Sequence, residues 1–255
     1  MTLSLLIGYH KSSSKERNSE YHRCIQTNLE NPHIDTVHIF LDNNRDRPPI
    51  EHEKIIYETN KGSKSFSKHK EATIGEARGY LVRKDRGRAT YGDFFKFCSE
   101  NLEGKNCIVS NTDIMFDDSL ENISDVDLGN TFLCLTRWDI KEDGKEVFFN
   151  RSDSQDSWIF TSPISGQLAE DSDFFLGRMG CDNKIAYLAH KHGMKVTNPA
   201  HLIRTRHLHL VDHRTYFEHE RVGGAHNDEF LKVHPTDDWE LSRIGKVAEQ
   251  YEEYK

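Results

Sequence analysis

The sequence predicts an α/β fold: a mixed sheet flanked by helices, in a single domain with a C-terminal helical extension. Three observations predict it. Apolar runs of strand length recur along the chain. Stretches at helical spacing stand between them behind capping signatures. The apolar runs end in Gly, Asn or Asp, which open turns. A chain of 255 residues is long enough for one generous α/β domain and a sizeable core.

The first strand is expected over Leu3–Gly8, an apolar run closed by glycine. A loop from Tyr9 to Ser14 follows. Ser13 and Glu16 have the spacing of a capping box, and Tyr21, Cys24, Ile25 and Leu29 then fall on one helical face until Asn31-Pro32 ends the helix. Val37–Leu41 and Lys54–Tyr57 read as two further strands. Strand, helix, strand, strand is the opening of a Rossmann-like, nucleotide-binding sheet. Residues 60–75 are polar and read as loop. Thr90 and Asp93 form a second capping pattern ahead of Phe94, Phe95, Phe97, Cys98 and Leu102, with Gly104 as the expected C′ residue. Cys107–Ser110 is a strand of the buried type, running into Asn111-Thr112-Asp113. Shorter strands are expected at Phe132–Leu135, Trp158–Phe160, Phe174–Leu176 and around Val196, with a helix opening at Gly180 and ending at Gly193. Arg206–Leu210 alternates polar and apolar residues. From Trp239 a final amphipathic helix is expected to carry Leu241, Ile244, Val247, Ala248 and Tyr251. The domain is placed at residues 1–216 and the extension at 217–255.

Composition removes several classes. Lys and Arg number 34 against 42 Asp and Glu, a net charge of −8, so a general nucleic-acid binder is excluded while an anionic ligand in a local pocket is not. The five cysteines are scattered, without a CxxC pair, which argues for reduced core residues and against a disulfide framework or a Cys-ligated zinc. No run reaches the length of a membrane span, and the N-terminal apolar run lacks a basic flank. The expected compartment is cytoplasmic. The sequence gives no oligomeric state.

The strongest chemical signal is Asn111-Thr112-Asp113 at a strand end, where ligands of open α/β sheets bind. A carboxylate there, with a second oxygen two residues earlier, suits a hard divalent cation that bridges phosphates. The competing reading is a turn capped by Asn and Asp. His207 and His209 alternate with leucines and would share one face of a strand, offering imidazole to the same cation, or simply forming a polar outer face. Asp182, at a helix start, is either an N-cap or a general base for an acceptor hydroxyl. Asp156 precedes Trp158, a carboxylate and an aromatic that suit a sugar, or an ordinary strand start. Arg88 precedes the capped Thr90 and is read either as a contact to a base or pyrophosphate or as a solvated arginine.

Taken in order, the blocks Leu3–Ser14, Val37–Asn43, Arg88–Phe97, Val109–Leu120, Ser154–Phe160, Phe175–Tyr187 and Asn198–His209 resemble a GT-A-type glycosyltransferase over about residues 3–216. They are similar to small glycosyltransferases of large algal viruses and of bacterial surface-polysaccharide clusters. The family's strand-end DxD motif reads Asn111-Thr112-Asp113 here, with an amide in place of the first carboxylate. The resemblance implies a metal-dependent transfer of a sugar from a UDP- or GDP-linked donor to a glycan or small-molecule acceptor. It implies Mn²⁺ or Mg²⁺ held by Asp113 and Asn111 with His209 or His207. Gly8, Tyr9, His10 and Arg88 would join Asn111 and Asp113 around the nucleotide. Asp182 and then Asp156 are the candidate bases, and Trp158, Asp156 and Asn183 would face the sugars. Two other classes stay open: a metal-dependent hydrolase or phosphoesterase using His207, His209, Asp212 and Asp113, and a non-catalytic carbohydrate-binding domain.

Overall fold

The structure is a computed structural model, and it describes residues 3–43, 45–59, 87–124, 126–211, 221–222, 229–238, 242 and 244–246. The polar stretch at 60–75 lies outside the described residues, as does the C-terminal segment from 247 onward.

The frame is a seven-stranded sheet. Its centre is β1 (Leu3–Tyr9), flanked by β2 (Thr36–Leu41) on one side and β4 (Asn106–Ser110) on the other, both parallel to it. β3 (Ile55–Thr59) closes the β2 edge. Beyond β4 lie β9 (Ser157–Thr161), antiparallel to both its neighbours, then β6 (Thr131–Leu135) and β10 (Lys195–Thr197). β1 and β4 are buried on both faces, which is why they read as continuous apolar runs rather than alternating ones. Successive side chains feed opposite layers. Leu6, Val109 and Trp158 join one core cluster with Phe94 and Phe95, and Leu5, Ile7 and Ile108 join the other with Ile25.

Helix α1 (Lys15–Glu30) covers the second layer. Its N-cap is Ser14, not Ser13: Ser14 Oγ accepts from the Arg17 amide at 3.1 Å. With the cap at Ser14, the N3 residue is Arg17, so the expected reciprocal carboxylate is missing and Glu16 meets the Ser14 hydroxyl instead, at 2.8 Å. Helix α2 (Tyr91–Asn101) has the full capping box of Thr90 and Asp93. Gly104 has φ +73° but falls one position past C′, because the helix closes at Leu102. The five cysteines are free and buried.

A second sheet of four strands stands beside the first, in the order β5 (Ile114–Phe116), β11 (Thr205–His207), β7 (Arg137–Ile140), β8 (Glu146–Phe148). This sheet was not anticipated. Two expected elements are corrected. Phe174–Leu176 makes only a single bridge, Phe175 with Thr90, since Gly177 turns the chain away at φ +73°. The helix expected from Trp239 gives way at Ile244–Lys246 to strand β13, antiparallel to β12 (Leu231–Val233). This hairpin is tied to the domain: the Asn198 amide donates to Ser242 Oγ at 2.7 Å, and Asn198 Nδ2 to the Val233 carbonyl at 2.9 Å. Among the described residues the other α-helices are α3 (Glu121–Ser124), α4 (Gly166–Asp171) and α5 (Cys181–Lys191), with a 3-10 turn at Asp118–Leu120.

Candidate functional site

The chain runs β1, β2, β3 toward one edge and then returns to lay β4 on the other side of β1. The carboxyl ends of β1 and β4 therefore flank a topological switch point, where open α/β sheets leave a crevice for ligands. A cavity of about 550 Å³ opens there, a size that suits a small-molecule ligand. Gly8 and His10 line it from the end of β1, and Asn111 and Asp113 from the end of β4. Six arginines (17, 88, 137, 151, 178 and 221) also line it. Five aspartates (42, 113, 153, 156 and 182) line it as well, so charges of both signs meet around one crevice.

Asp113 stands just before β5, and β11 pairs β5 with His207 opposite Ile114. That register brings His207 Nε2 to 3.3 Å from Asp113 Oδ2, while His209, two residues on, brings Nδ1 to 3.6 Å. β11 ends at His207, so His209 reaches the cluster from beyond the strand, with the intervening Leu208 turned into the interior. One carboxylate oxygen and two imidazole nitrogens lie within 4.8 Å of one another. This donor set fits a divalent cation. Arg17 of α1 also donates to Asp113 Oδ2, and to Glu20 at 2.6 Å and the Leu208 carbonyl at 3.1 Å. Burial works against the Asp113 charge, but His207, His209 and Arg17 outweigh it and hold the carboxyl well below its usual range. Burial likewise opposes the His207 cation, but Asp113 and Asp139 raise it to about 9.

The second sheet adds two residues. β7 runs parallel to β11 with Asp139 opposite His207, and Asp139 Oδ1 lies 3.0 Å from His207 Nδ1. Arg137 donates through Nε to Asp139 at 2.9 Å and through Nη1 to Asp156 at 2.8 Å. Asp156 also accepts from Asn111 Nδ2 at 2.8 Å, so both its oxygens are engaged. Asp182 differs. Its partners are backbone amides: Asn183 to Oδ1 at 3.0 Å and Gln155 to Oδ2 at 3.3 Å. Burial, with the Asp156 charge adding to it, pushes its pKa up to about 7. It lies in the first turn of α5, whose N-cap is Gly180 at φ +81°.

The structure therefore gathers Gly8, His10, Arg88, Asn111, Asp113, Asp156, Asp182, Asn183, His207 and His209 around one cavity. Arg88 donates to the Leu176 carbonyl there, and Asn183 Nδ2 is spent on the Leu231 carbonyl at 3.1 Å. Two expected residues are not available. Trp158 is wholly buried between β4 and β6, with its ring edge-on to Tyr91 at 5.0 Å, so it offers no face to a sugar. Tyr9 is 2% exposed and turns its hydroxyl to His22 at 3.0 Å. Asp212, the fourth member of the hydrolase reading, lies outside the described residues. Arg17, Arg137 and Asp139 are the residues that sequence reasoning missed. The local signal for the last two was a charged pair two residues apart, just after an apolar run.

No protein-family model matches the chain, and no curated protein sequence matches it. Solved structures do. The chain is similar to a crystal structure of GalNAc-T7 with UDP, GalNAc and Mn²⁺, at TM-score 0.51 and 11% identity, over 88% of this chain and 46% of that one. It thus spans about half the length of that protein. A 4-diphosphocytidyl-2C-methyl-D-erythritol synthase from Anaerococcus prevotii matches at TM-score 0.39 and 12% identity, over 77% of this chain and 86% of that one. HddC from Yersinia pseudotuberculosis matches at 0.32 and 15%, over 68% and 80%. The first likeness shows the fold: a GT-A-like α/β architecture, a mixed sheet flanked by helices. Among the described residues no helix is long and apolar enough to cross a membrane.

Proposed function

We propose that this protein is a glycosyltransferase that moves a sugar from a UDP- or GDP-linked donor to a glycan or small-molecule acceptor, with a divalent cation in its site. One observation carries the reading: Asp113, His207 and His209 converge in an arginine-lined cavity at the switch point of a GT-A-like sheet. Their mixed oxygen and nitrogen donors favour Mn²⁺ over Mg²⁺, since imidazole is a poor ligand for the harder ion. The GalNAc-T7 structure holds UDP and Mn²⁺, which supports UDP-sugars as the first donors to try. The kinship with algal-virus and bacterial polysaccharide enzymes, the 1–216 domain boundary and a cytoplasmic setting belong to the same proposal.

When bound, the cation supplies charge neutralisation for the departing nucleoside diphosphate. The chain's own residues do the rest. Arg88 stands beside Asn111 and Gly177, where a Cβ on Gly177 would lie 3.3 Å from its guanidinium. It offers fixed positive charge to the diphosphate oxygens. Asp156, with both oxygens taken by Arg137 and Asn111, orients rather than reacts. Asp182, whose pKa of about 7 suits a base at neutral pH, takes the proton of the acceptor hydroxyl in an inverting transfer. Asn183, next on α5, gives its amide to the Leu231 carbonyl and so braces the start of that helix.

The test is a panel of UDP- and GDP-sugars with purified protein and Mn²⁺, reading the nucleoside diphosphate released. The expected result is slow release from at least one donor, abolished by chelation. No release from any donor, together with no thermal shift by Mn²⁺, contradicts the reading. Cleavage of a generic aryl phosphate without a sugar donor would instead favour a phosphoesterase, and glycan binding without turnover a carbohydrate-binding domain.

A further inference from the structure

We infer that Asp139, itself held by Arg137, is the positioning residue that aims His207 at the metal. This rests on the reading of Asp113, His207 and His209 as cation ligands. β7 and β11 run parallel with Asp139 opposite His207, so neighbouring positions on one face of the sheet put carboxylate and ring side by side. Asp139 Oδ1 meets His207 Nδ1 at 3.0 Å. Nε2, the other ring nitrogen, is the one that faces Asp113, at 3.3 Å. A carboxylate on Nδ1 keeps the proton there and leaves the Nε2 lone pair for the cation.

Asp139 is in turn fixed. Arg137 Nε donates to its Oδ1 at 2.9 Å, and the guanidinium lies 4.0 Å from the Phe149 ring centroid, which holds its plane. The other arm of Arg137 reaches Asp156 at 2.8 Å, and Asp156 grips Asn111 at 2.8 Å. One guanidinium thus spans the orientation of His207 on one side and the turn after β4 on the other. Neither Asp139 nor Arg137 belongs to the three-residue cluster, and both are on the sheet that the sequence did not reveal.

Two measurements test this without turnover. Mn²⁺ affinity of the wild type, Asp139→Asn and Asp139→Glu is measured by electron paramagnetic resonance of the free ion. Asp139→Asn should weaken Mn²⁺ about 10- to 100-fold, the usual cost of removing a ligand's orienting carboxylate. Asp139→Glu should recover most of the affinity. Equal affinity in the wild type and a folded Asp139→Asn overturns the inference. The second measurement needs no variant: ¹⁵N-histidine spectra of the wild type loaded with Zn²⁺, a diamagnetic probe. His207 should keep its Nδ1 proton and give Nε2 to the metal, and the opposite tautomer overturns the inference. A wild type that binds neither ion removes its premise and overturns it too. Absence of transferase activity alongside a normal Asp139 effect on Mn²⁺ defeats the transferase reading alone.

Discussion

The guanidinium of Arg17 donates to the carboxylate of Asp113, tying helix α1 to the candidate metal ligand across 96 residues of sequence. Both side chains are almost fully buried. Removing one member of such a pair costs up to about 3–5 kcal/mol, though the two imidazoles that stay near Asp113 reduce the loss. Arg17→Gln should therefore unfold at lower temperature than the wild type. Mn²⁺ should raise its melting temperature by more than it raises that of the wild type, because the ion replaces the lost positive charge. Thermal unfolding with and without Mn²⁺ reads both effects.

Asp113 supplies the only carboxylate of the cluster among the described residues. Asp113→Asn should abolish the Mn²⁺ thermal shift and lower turnover by at least about 10²–10³-fold, the scale of losing a main electrostatic group in a site. Circular dichroism should stay unchanged. A variant that retains near wild-type turnover contradicts the assignment.

Asp182 gives a pH prediction. Its folded pKa of about 7 lies above the ordinary value of 3.8. The folded state therefore favours the protonated form. The stability this provides is full below pH ~4, the unfolded pKa, and is lost as pH rises through 7. Asp182→Asn should flatten the fall in stability between pH 5 and 8. At pH 8 it should be more stable than the wild type by on the order of 2 kcal/mol, below the ~4 kcal/mol of the full shift because water reaches the cavity. The kinetics run the other way. kcat/KM of the wild type should rise with pH through about 7, and the variant should lose both that limb and most of its activity.

Gly92, in the first turn of α2, packs against α4. A Cβ there would meet the Ala169 carbonyl oxygen at 2.5 Å, backbone that cannot move aside cheaply. Gly92→Ala should cost about 1–3 kcal/mol as an overpacked core, seen as a lower melting temperature with unchanged Mn²⁺ affinity.

Some local signals stand in the structure, although the Ser13–Glu16 capping box, equally local, does not. The strand at Cys107–Ser110 and the capping box at Thr90 depend on neighbours within a few residues and stand in the structure, whereas the strand expected to carry both His207 and His209 ends at His207. Among contacts across long separations, the resemblance gave Asp113 with His207 and His209, but the residues around them were not legible. Asp139 meets His207 across 68 residues, and only the pairing of β7 with β11 brings them together. Trp158 beside Asp156 suited a sugar site as well as a strand start, and the β4–β9–β6 register decided for the core. Ile244 sat at helical spacing, but pairing with Val233 drew it into a strand, a tertiary override of local pattern.

The proposed transfer requires Asp113, His207 and His209 to hold a cation against the diphosphate of a nucleotide sugar. Crystals soaked with UDP and Mn²⁺ and measured at the manganese absorption edge test it most directly. The prediction is one anomalous peak bonded to Asp113 Oδ2, His207 Nε2 and His209 Nδ1, with the diphosphate on its far side toward Arg88. A diphosphate bound elsewhere, with no peak at those three side chains and Asp113 still paired to Arg17, would contradict it.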